Sequence, residues 1–184
     1  MSQTEIYHAT IYALKRILLC VATIIALCSC IGEEDEYTHE NTSIVKVGDK
    51  APDFTVELLN GEKITLSSLQ EKALMLIFFS AGCPDCQAQF AEMQRIISQS
   101  EPHFRIIAIS RAETRETTAA FIQKYGLNIN VGIDPDRSIY DKYATRFVPR
   151  NYLIDSFGEI KALTVEYLPD EFHSIWQQAE DLAR

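Results

Sequence analysis

The chain has 184 residues, with 17 Lys and Arg against 26 Asp and Glu and a formal net charge of −9 at pH 7. A surface of that sign repels phosphate backbones and anionic headgroups, which excludes nucleic acid and acidic lipid as principal partners. The length allows a short leader and one domain with a single core, and no internal repeat or low-complexity tract divides it.

In chain order, the basic pair Lys15-Arg16 comes first, followed by the uncharged apolar stretch Ile17 to Leu27. This has the charge and length of a secretory signal and is short for a membrane span of about 20 residues. It ends in Leu27-Cys28-Ser29-Cys30, which resembles the bacterial lipobox. That resemblance implies residues 1–29 as a lipoprotein signal peptide and Cys30 as the lipidated new N-terminus. Residues 30–46, with the run Glu33-Glu34-Asp35-Glu36, then read as a solvated acidic tether. The acidic run also resembles the surface-export signal of Bacteroidetes lipoproteins, which would move the protein from the periplasmic face to the cell exterior. The mature chain would carry a net charge of −10.

The folded domain is expected over 47–184. Phe54 to Leu58 and Lys63 to Leu66 flank Asn60-Gly61, a strong hairpin-turn dipeptide. Ser67 to Glu71 reads as one helical turn. Leu74 to Phe79 is a continuous apolar run of strand length, as in a central strand covered on both faces. The next helix places Phe90, Met93, Ile96 and Ile97 on one face. Phe104 to Ile109 is a strand, and Thr114 to Tyr125 a helix closed by Gly126. Asn128 to Ile133 is a short strand, and Pro135 to Tyr143 a short helix. Tyr152 to Asp155 and Ile160 to Val165 form a closing hairpin. Asp170 is positioned to cap a last helix, Glu171 to Arg184. Strand–helix–strand units followed by a hairpin predict a mixed α/β sheet with helices on both faces.

The chemistry concentrates in Cys83-Pro84-Asp85-Cys86, directly after the apolar strand and at the start of a helix. A helix N-terminus offers partial positive charge and unpaired N–H groups to a thiolate. Cysteines at i and i+3 can also close a disulfide across the first turn, so the pair can act as thiolate or as disulfide. After signal cleavage these are the only thiols besides Cys30, which fits a redox couple better than a disulfide-stapled scaffold.

Within this element order the C-x-x-C resembles the thioredoxin fold. Val148-Pro149, just before the strand at Tyr152, resembles that family's cis-proline. Gly48-x-x-Ala51-Pro52-x-Phe54, the Asn60-Gly61 hairpin, the Leu66–Leu69 turn and the segment inserted before Val148-Pro149 are similar to the TlpA/ResA-like, AhpC/TSA ("redoxin") branch. The resemblance covers residues 47 to 184 and implies a thioredoxin-like fold with an N-terminal β-hairpin extension. It implies Cys83 as attacking thiolate and Cys86 as resolving thiol, and Val148 and Pro149 as the backbone that receives an extended substrate. Pro84 and Asp85 would tune the potential, with Asp85 favouring electron donation. The expected partners are protein disulfide substrates, an upstream dithiol donor, and a membrane through the Cys30 anchor. No cofactor beyond the Cys83–Cys86 couple and no metal ion is expected, and the location implied is the cell envelope.

Three positions depart from the family pattern. Gly82 stands where Trp often precedes the first cysteine, Ile77 where thioredoxin has a buried acid, and Gln89 where ResA-type relatives place Glu. The nearest acids in sequence are Asp85 and Glu92, which leaves the group that assists Cys86 to come from elsewhere. Three rival readings exist. A peroxiredoxin would need P-x-x-x-T/S-x-x-C; Ser80 fits the hydroxyl, but Leu76 replaces Pro. A copper chaperone on this fold resembles C-x-x-x-C with a late His, whereas here the spacing differs and the mature histidines are His39, His103 and His173. The last rival is a fixed structural disulfide.

Overall fold

The computed structural model describes residues 38–69 and 71–184. The expected signal peptide, Cys30 and the acidic run lie outside the described residues.

Among the described residues, seven strands form one mixed sheet: β1 (Thr55–Leu58), β2 (Lys63–Thr65), β3 (Leu74–Phe79), β4 (Arg105–Arg111), β5 (Asn130–Asp134), β6 (Arg150–Ile154) and β7 (Ile160–Val165). Their spatial order is β2-β1-β5-β4-β3-β6-β7. The central three run parallel, while β6, β7 and the β1–β2 hairpin are antiparallel to their neighbours. The helices are α1 (Pro84–Gln99), α2 (Arg115–Tyr125) and α3 (Pro169–Leu182), with 3-10 turns at Leu66–Leu69 and Tyr140–Lys142.

All six residues of β3 are buried, which explains their unbroken apolar character. Strand alternation sends adjacent aromatics to opposite faces. Phe79 packs on Phe90 of α1 and Phe121 of α2, with ring centroids 4.7 and 5.1 Å away. Phe78 meets Tyr140, Tyr143 and Tyr152 on the other face. One face is thus covered by α-helices and the other by the Tyr140–Lys142 turn and its flanks. Burying each of these rings contributes about 1.5–3 kcal/mol.

Two expectations change. The helix predicted over Pro135 to Tyr143 is only the 3-10 turn Tyr140–Lys142. The carboxylate of Asp134 accepts the N–H groups of Ile139 and Tyr140, and Arg137 adopts a left-handed φ of 66°. A side chain therefore satisfies donors that a helix would have used, and the backbone cannot continue through Arg137. The final helix begins at Pro169, with Leu168 at the cap and Asp170 inside the first turn.

The domain also starts earlier than residue 47. Ser43 bridges Ala144, the Ile44 N–H donates to the Tyr143 carbonyl at 3.0 Å, and Thr42 and Val45 are buried. Residues 38–46, read as tether, are part of the folded unit, which begins at Thr38. Their apolar content is low, so hydrophobic pattern does not reveal them; they are held by hydrogen bonds.

Candidate active site

The topology gathers several loops at one edge of the sheet. β4 and β5 run parallel to β3, so Arg111 and Asp134 end near Phe79. β6 is antiparallel to β3, and its first residue, Arg150, pairs with Phe78. The segment leading into β6 therefore lies beside the segment leaving β3. β7 ends there too, with Val165 opposite Arg150.

Cys83 is the N-cap of α1 and Pro84 opens the helix. Proline suits that position because its missing N–H has no helical partner to lose. The Cys86 N–H donates to Cys83 Sγ at 3.4 Å. The Cys83 thiol donates to the Val148 carbonyl at 3.3 Å. Both cysteines are free thiols, Cys83 half-buried and Cys86 fully buried. Burial pushes the Cys86 thiol far above its ordinary value, and the neighbouring Cys83 sulfur adds to this. The Ser80 N–H, 3.5 Å from Cys86 Sγ, and the charge of Arg111 act the other way. Pro84 is exposed, and Asp85 lies in the first turn of α1.

The loop between β3 and α1 is held by Glu113, just beyond β4. One carboxylate oxygen accepts from the Ser80 hydroxyl and the Ala81 N–H, both at 2.7 Å; the other accepts from the Ser110 hydroxyl at 2.7 Å. Gln87 adds a bond from its amide to the Ala81 carbonyl at 3.0 Å. Glu92, one of the two acids nearest in sequence, instead turns outward to Arg95 and His173.

The two positions lacking the family's acids converge on a single residue. Ile77 is the cross-strand partner of Asn151. Gln89, fully buried, exchanges two amide hydrogen bonds with Asn151 at 2.8 and 2.9 Å, and Asn151 also donates to the Thr164 hydroxyl at 2.9 Å. A neutral, mutually satisfied amide pair is thus anchored on α1 three residues after Cys86. It avoids the cost of burying a carboxylate, and it offers no proton acceptor of carboxylate strength.

Val148-Pro149 is a cis peptide, as the resemblance implied. The Tyr140 hydroxyl reaches the carbonyls of Arg146 and Phe147, at 2.6 and 2.7 Å. Arg150, fully buried, donates to the Arg146 carbonyl and to the hydroxyls of Thr42 and Ser43. It ties the early segment 38–46 to the proline loop. His39 touches the same loop, edge-on to Phe147 at 5.4 Å and 2.7 Å from Glu166. Among the described residues, the non-glycine residues with left-handed φ all line this edge: Ala112, Arg137, Phe147 and Glu166, with φ between 59° and 66°. Such backbone costs about 1–3 kcal/mol per residue and collects where geometry serves a function.

The structure therefore brings together Cys83, Cys86, Val148 and Pro149, with Pro84 and Asp85 beside them. It adds Glu113, Asn151, Arg150, Arg111 and His39, none of which is close to the C-x-x-C in sequence. The acid at 113 falls just past the β4 strand pattern, where a strand end parallel to β3 would be sought.

The AhpC/TSA family model matches residues 47–163. The thiol-disulfide oxidoreductase ResA of Halalkalibacterium halodurans is 33% identical over 119 residues, which cover 64% of this chain and 68% of the relative. ResA of Bacillus subtilis is 28% identical over 156 residues, covering 79% and 83%. A solution structure from Bacteroides thetaiotaomicron, described as a candidate protein disulfide isomerase, superposes with a TM-score of 0.70 at 37% identity, covering 77% of this chain and 92% of that one. The thioredoxin domain of a Bacteroides vulgatus thiol-disulfide oxidoreductase shares the fold, with a TM-score of 0.63 at 20% identity over 73% of this chain and 99% of that one. With the family model spanning more than half of its length, the chain belongs to the AhpC/TSA family, in its ResA-like thiol-disulfide oxidoreductase branch.

Proposed function

We propose that Cys83 and Cys86 exchange a dithiol for a disulfide with protein substrates in the cell envelope, and that the protein acts as the reductant. The observation that carries the reading is the Cys83 sulfur, half-exposed at a helix N-cap and facing the Val148 carbonyl, with Cys86 buried behind it.

In the first step the Cys83 sulfur, as thiolate, attacks one sulfur of a substrate disulfide. That S–S bond breaks as the mixed disulfide forms, and the departing sulfur leaves as thiolate. Cys86 keeps its proton until this stage because burial disfavours its thiolate. It then gives the proton to the departing substrate sulfur and attacks Cys83 Sγ. The second substrate sulfur leaves as thiolate and takes a proton from water. The substrate is reduced by two electrons, and the Cys83–Cys86 disulfide remains for an upstream dithiol donor to reduce. No other redox group is required. Val148 and Pro149 provide the backbone beside which an extended substrate segment lies.

Direction follows from charge. Asp85 sits in the first turn of the same helix and places like charge near the reduced, thiolate form, which favours giving electrons away. Cys30, as a lipidated N-terminus, would hold the domain at the membrane. The test is reduction of a protein disulfide with a dithiol donor, together with the equilibrium potential. The wild type should turn over, Cys83→Ser should lose activity by at least about a thousandfold, and the potential should lie well below about −120 mV, that of a strong oxidant. Full activity in Cys83→Ser would overturn the mechanism; a potential at or above that value would reverse the direction.

A further inference from the structure

Cys86 is fully buried, and resolution requires its sulfur to carry negative charge in that setting. Gln89 and Asn151 are neutral and bonded to each other. The group aimed at the sulfur is a backbone donor, the Ser80 N–H, 3.5 Å from Cys86 Sγ. A donor stabilises a developing charge best when it is fixed in place before the charge appears. Ser80 lies just past the last register pair of β3 and β4, Phe79 with Ser110, in the loop that leads to Cys83. The sheet ladder therefore does not hold it, and another group has to.

Glu113 supplies the hold. One carboxylate oxygen accepts from the Ser80 hydroxyl and from the Ala81 N–H, so it grips Ser80 and the peptide that follows it. The other accepts from the hydroxyl of Ser110, which is fully buried in β4. The carboxylate thus ties the loop to the sheet. Ala112 makes this possible. Its φ of 59° is a left-handed conformation that L side chains rarely adopt, and it folds Glu113 back against Ser110. The Ala112 N–H is satisfied by the Asp134 carbonyl at 2.9 Å. Cys83 has separate anchors: its sulfur accepts from the Cys86 N–H, and its thiol donates to the Val148 carbonyl.

We infer that Glu113 is a positioning residue for the resolving step: by holding the Ser80–Ala81 turn it aims the Ser80 N–H at the Cys86 sulfur as that sulfur turns from thiol to thiolate. The inference rests on the thiol-disulfide reading of Cys83 and Cys86 and assigns the help that the buried thiol needs. In that step Cys86 gives its proton to the departing substrate sulfur. Its electron pair then forms the bond to Cys83 Sγ, and the pair of the breaking Cys83–substrate bond leaves with the second substrate sulfur. Glu113 takes neither proton nor electrons; it acts through Ser80. The charge of Arg111, at the end of β4, favours the same thiolate, and the Cys83 sulfur opposes it.

The test follows a single oxidation of the reduced protein by a peptide disulfide, with acid quenching and mass spectrometry, at rising peptide concentration. At low concentration the rate grows in proportion to the peptide and reports attack by Cys83. At high concentration it levels off at the first-order rate of resolution by Cys86. In Glu113→Gln the plateau should fall about tenfold, and in Glu113→Ala at least about thirtyfold, while the initial slope stays within about twofold of wild type. Mixed disulfide on Cys83 should accumulate in both. Ser80→Ala keeps the N–H and the grip through Ala81, and should lower the plateau by about threefold or less. An unchanged plateau in Glu113→Gln, an equal loss of slope and plateau, or a larger loss in Ser80→Ala than in Glu113→Gln overturns the positioning role but leaves exchange standing. Failure of the wild type to react with the peptide and with bis(2-hydroxyethyl) disulfide overturns the redox reading itself.

Discussion

The two ends of the sheet are built differently. At the end where β3 meets α1, four side-chain-bearing residues among those described take left-handed backbone, and the loops are held by buried or half-buried polar groups: Glu113, Arg150 and Tyr140. At the other end, where β4 and β5 begin, the chain turns on glycines. Gly61 and Gly126 carry the positive φ, with open space around a would-be Cβ. That end also has the larger cleft, about 830 Å³, lined by Leu58, Ile97, Phe104 and Ile129 among others, and it contains no thiol. Cleft size is therefore a poor guide to the chemistry. Backbone strain and polar anchoring mark the working end, where geometry is maintained at a cost; the relaxed end uses the residue that avoids the cost.

If this contrast holds, substitutions at the two ends should separate stability from activity. The largest effect is expected at Arg150. Arg150→Met removes the buried donor to the Thr42 and Ser43 hydroxyls and one of the two donors to the Arg146 carbonyl, the other being the Tyr140 hydroxyl. It should cost about 2–4 kcal/mol in urea unfolding and should also slow exchange, because the proline loop loses its tie to residues 38–46. Glu113→Gln comes next. The carboxylate accepts three bonds, two of them from the loop before Cys83, and an amide can satisfy only part of that set. The expected loss is about 1–2 kcal/mol, with a rate decrease of about tenfold that a purely structural role would not give. Gly126→Ala, at the relaxed end, forces a methyl into left-handed backbone at φ 59°. It should cost about 1 kcal/mol and leave the exchange rate unchanged; a matching loss of activity would erase the contrast.

The smallest effect is a pH dependence. The folded Cys86 thiol is raised far above its ordinary value near 9, chiefly by burial. The stability this represents is fully present below pH 9, where the unfolded thiol keeps its proton. It is lost progressively as the pH rises above 9, because the unfolded chain then ionises and the folded one does not. The melting temperature of the reduced protein should fall above pH 9, and Cys86→Ala should remove that component of the slope.

Much of this working end was readable from residues close in sequence. An apolar strand running into Cys83-Pro84-Asp85-Cys86 locates the helix cap, and Val148-Pro149 ahead of a strand locates the facing loop. The first depends on local rules of periodicity and capping; the second comes from the resemblance to the thioredoxin-like family. The anchors were not readable in this way. Glu113 and Arg150 act across 30 or more residues of chain, on backbone groups whose needs appear only after the sheet is assembled. Residues 38–46 look like a polar linker because hydrogen bonds, rather than apolar burial, hold them. Pro135 to Tyr143 has a helix-like composition, yet Asp134 captures the N–H groups that a helix requires. Gln89 and Ile77 looked like two separate gaps in the pattern, and the fold makes them one neutral site around Asn151.

The central claim is that Cys83 attacks and Cys86 resolves. Its most direct test is mass spectrometry of Cys86→Ala and Cys83→Ala variants after reaction with a protein disulfide. Cys86→Ala should accumulate a stable mixed disulfide on Cys83, and Cys83→Ala should accumulate essentially none. A mixed disulfide that forms equally well on Cys86, or on neither cysteine, would contradict the account.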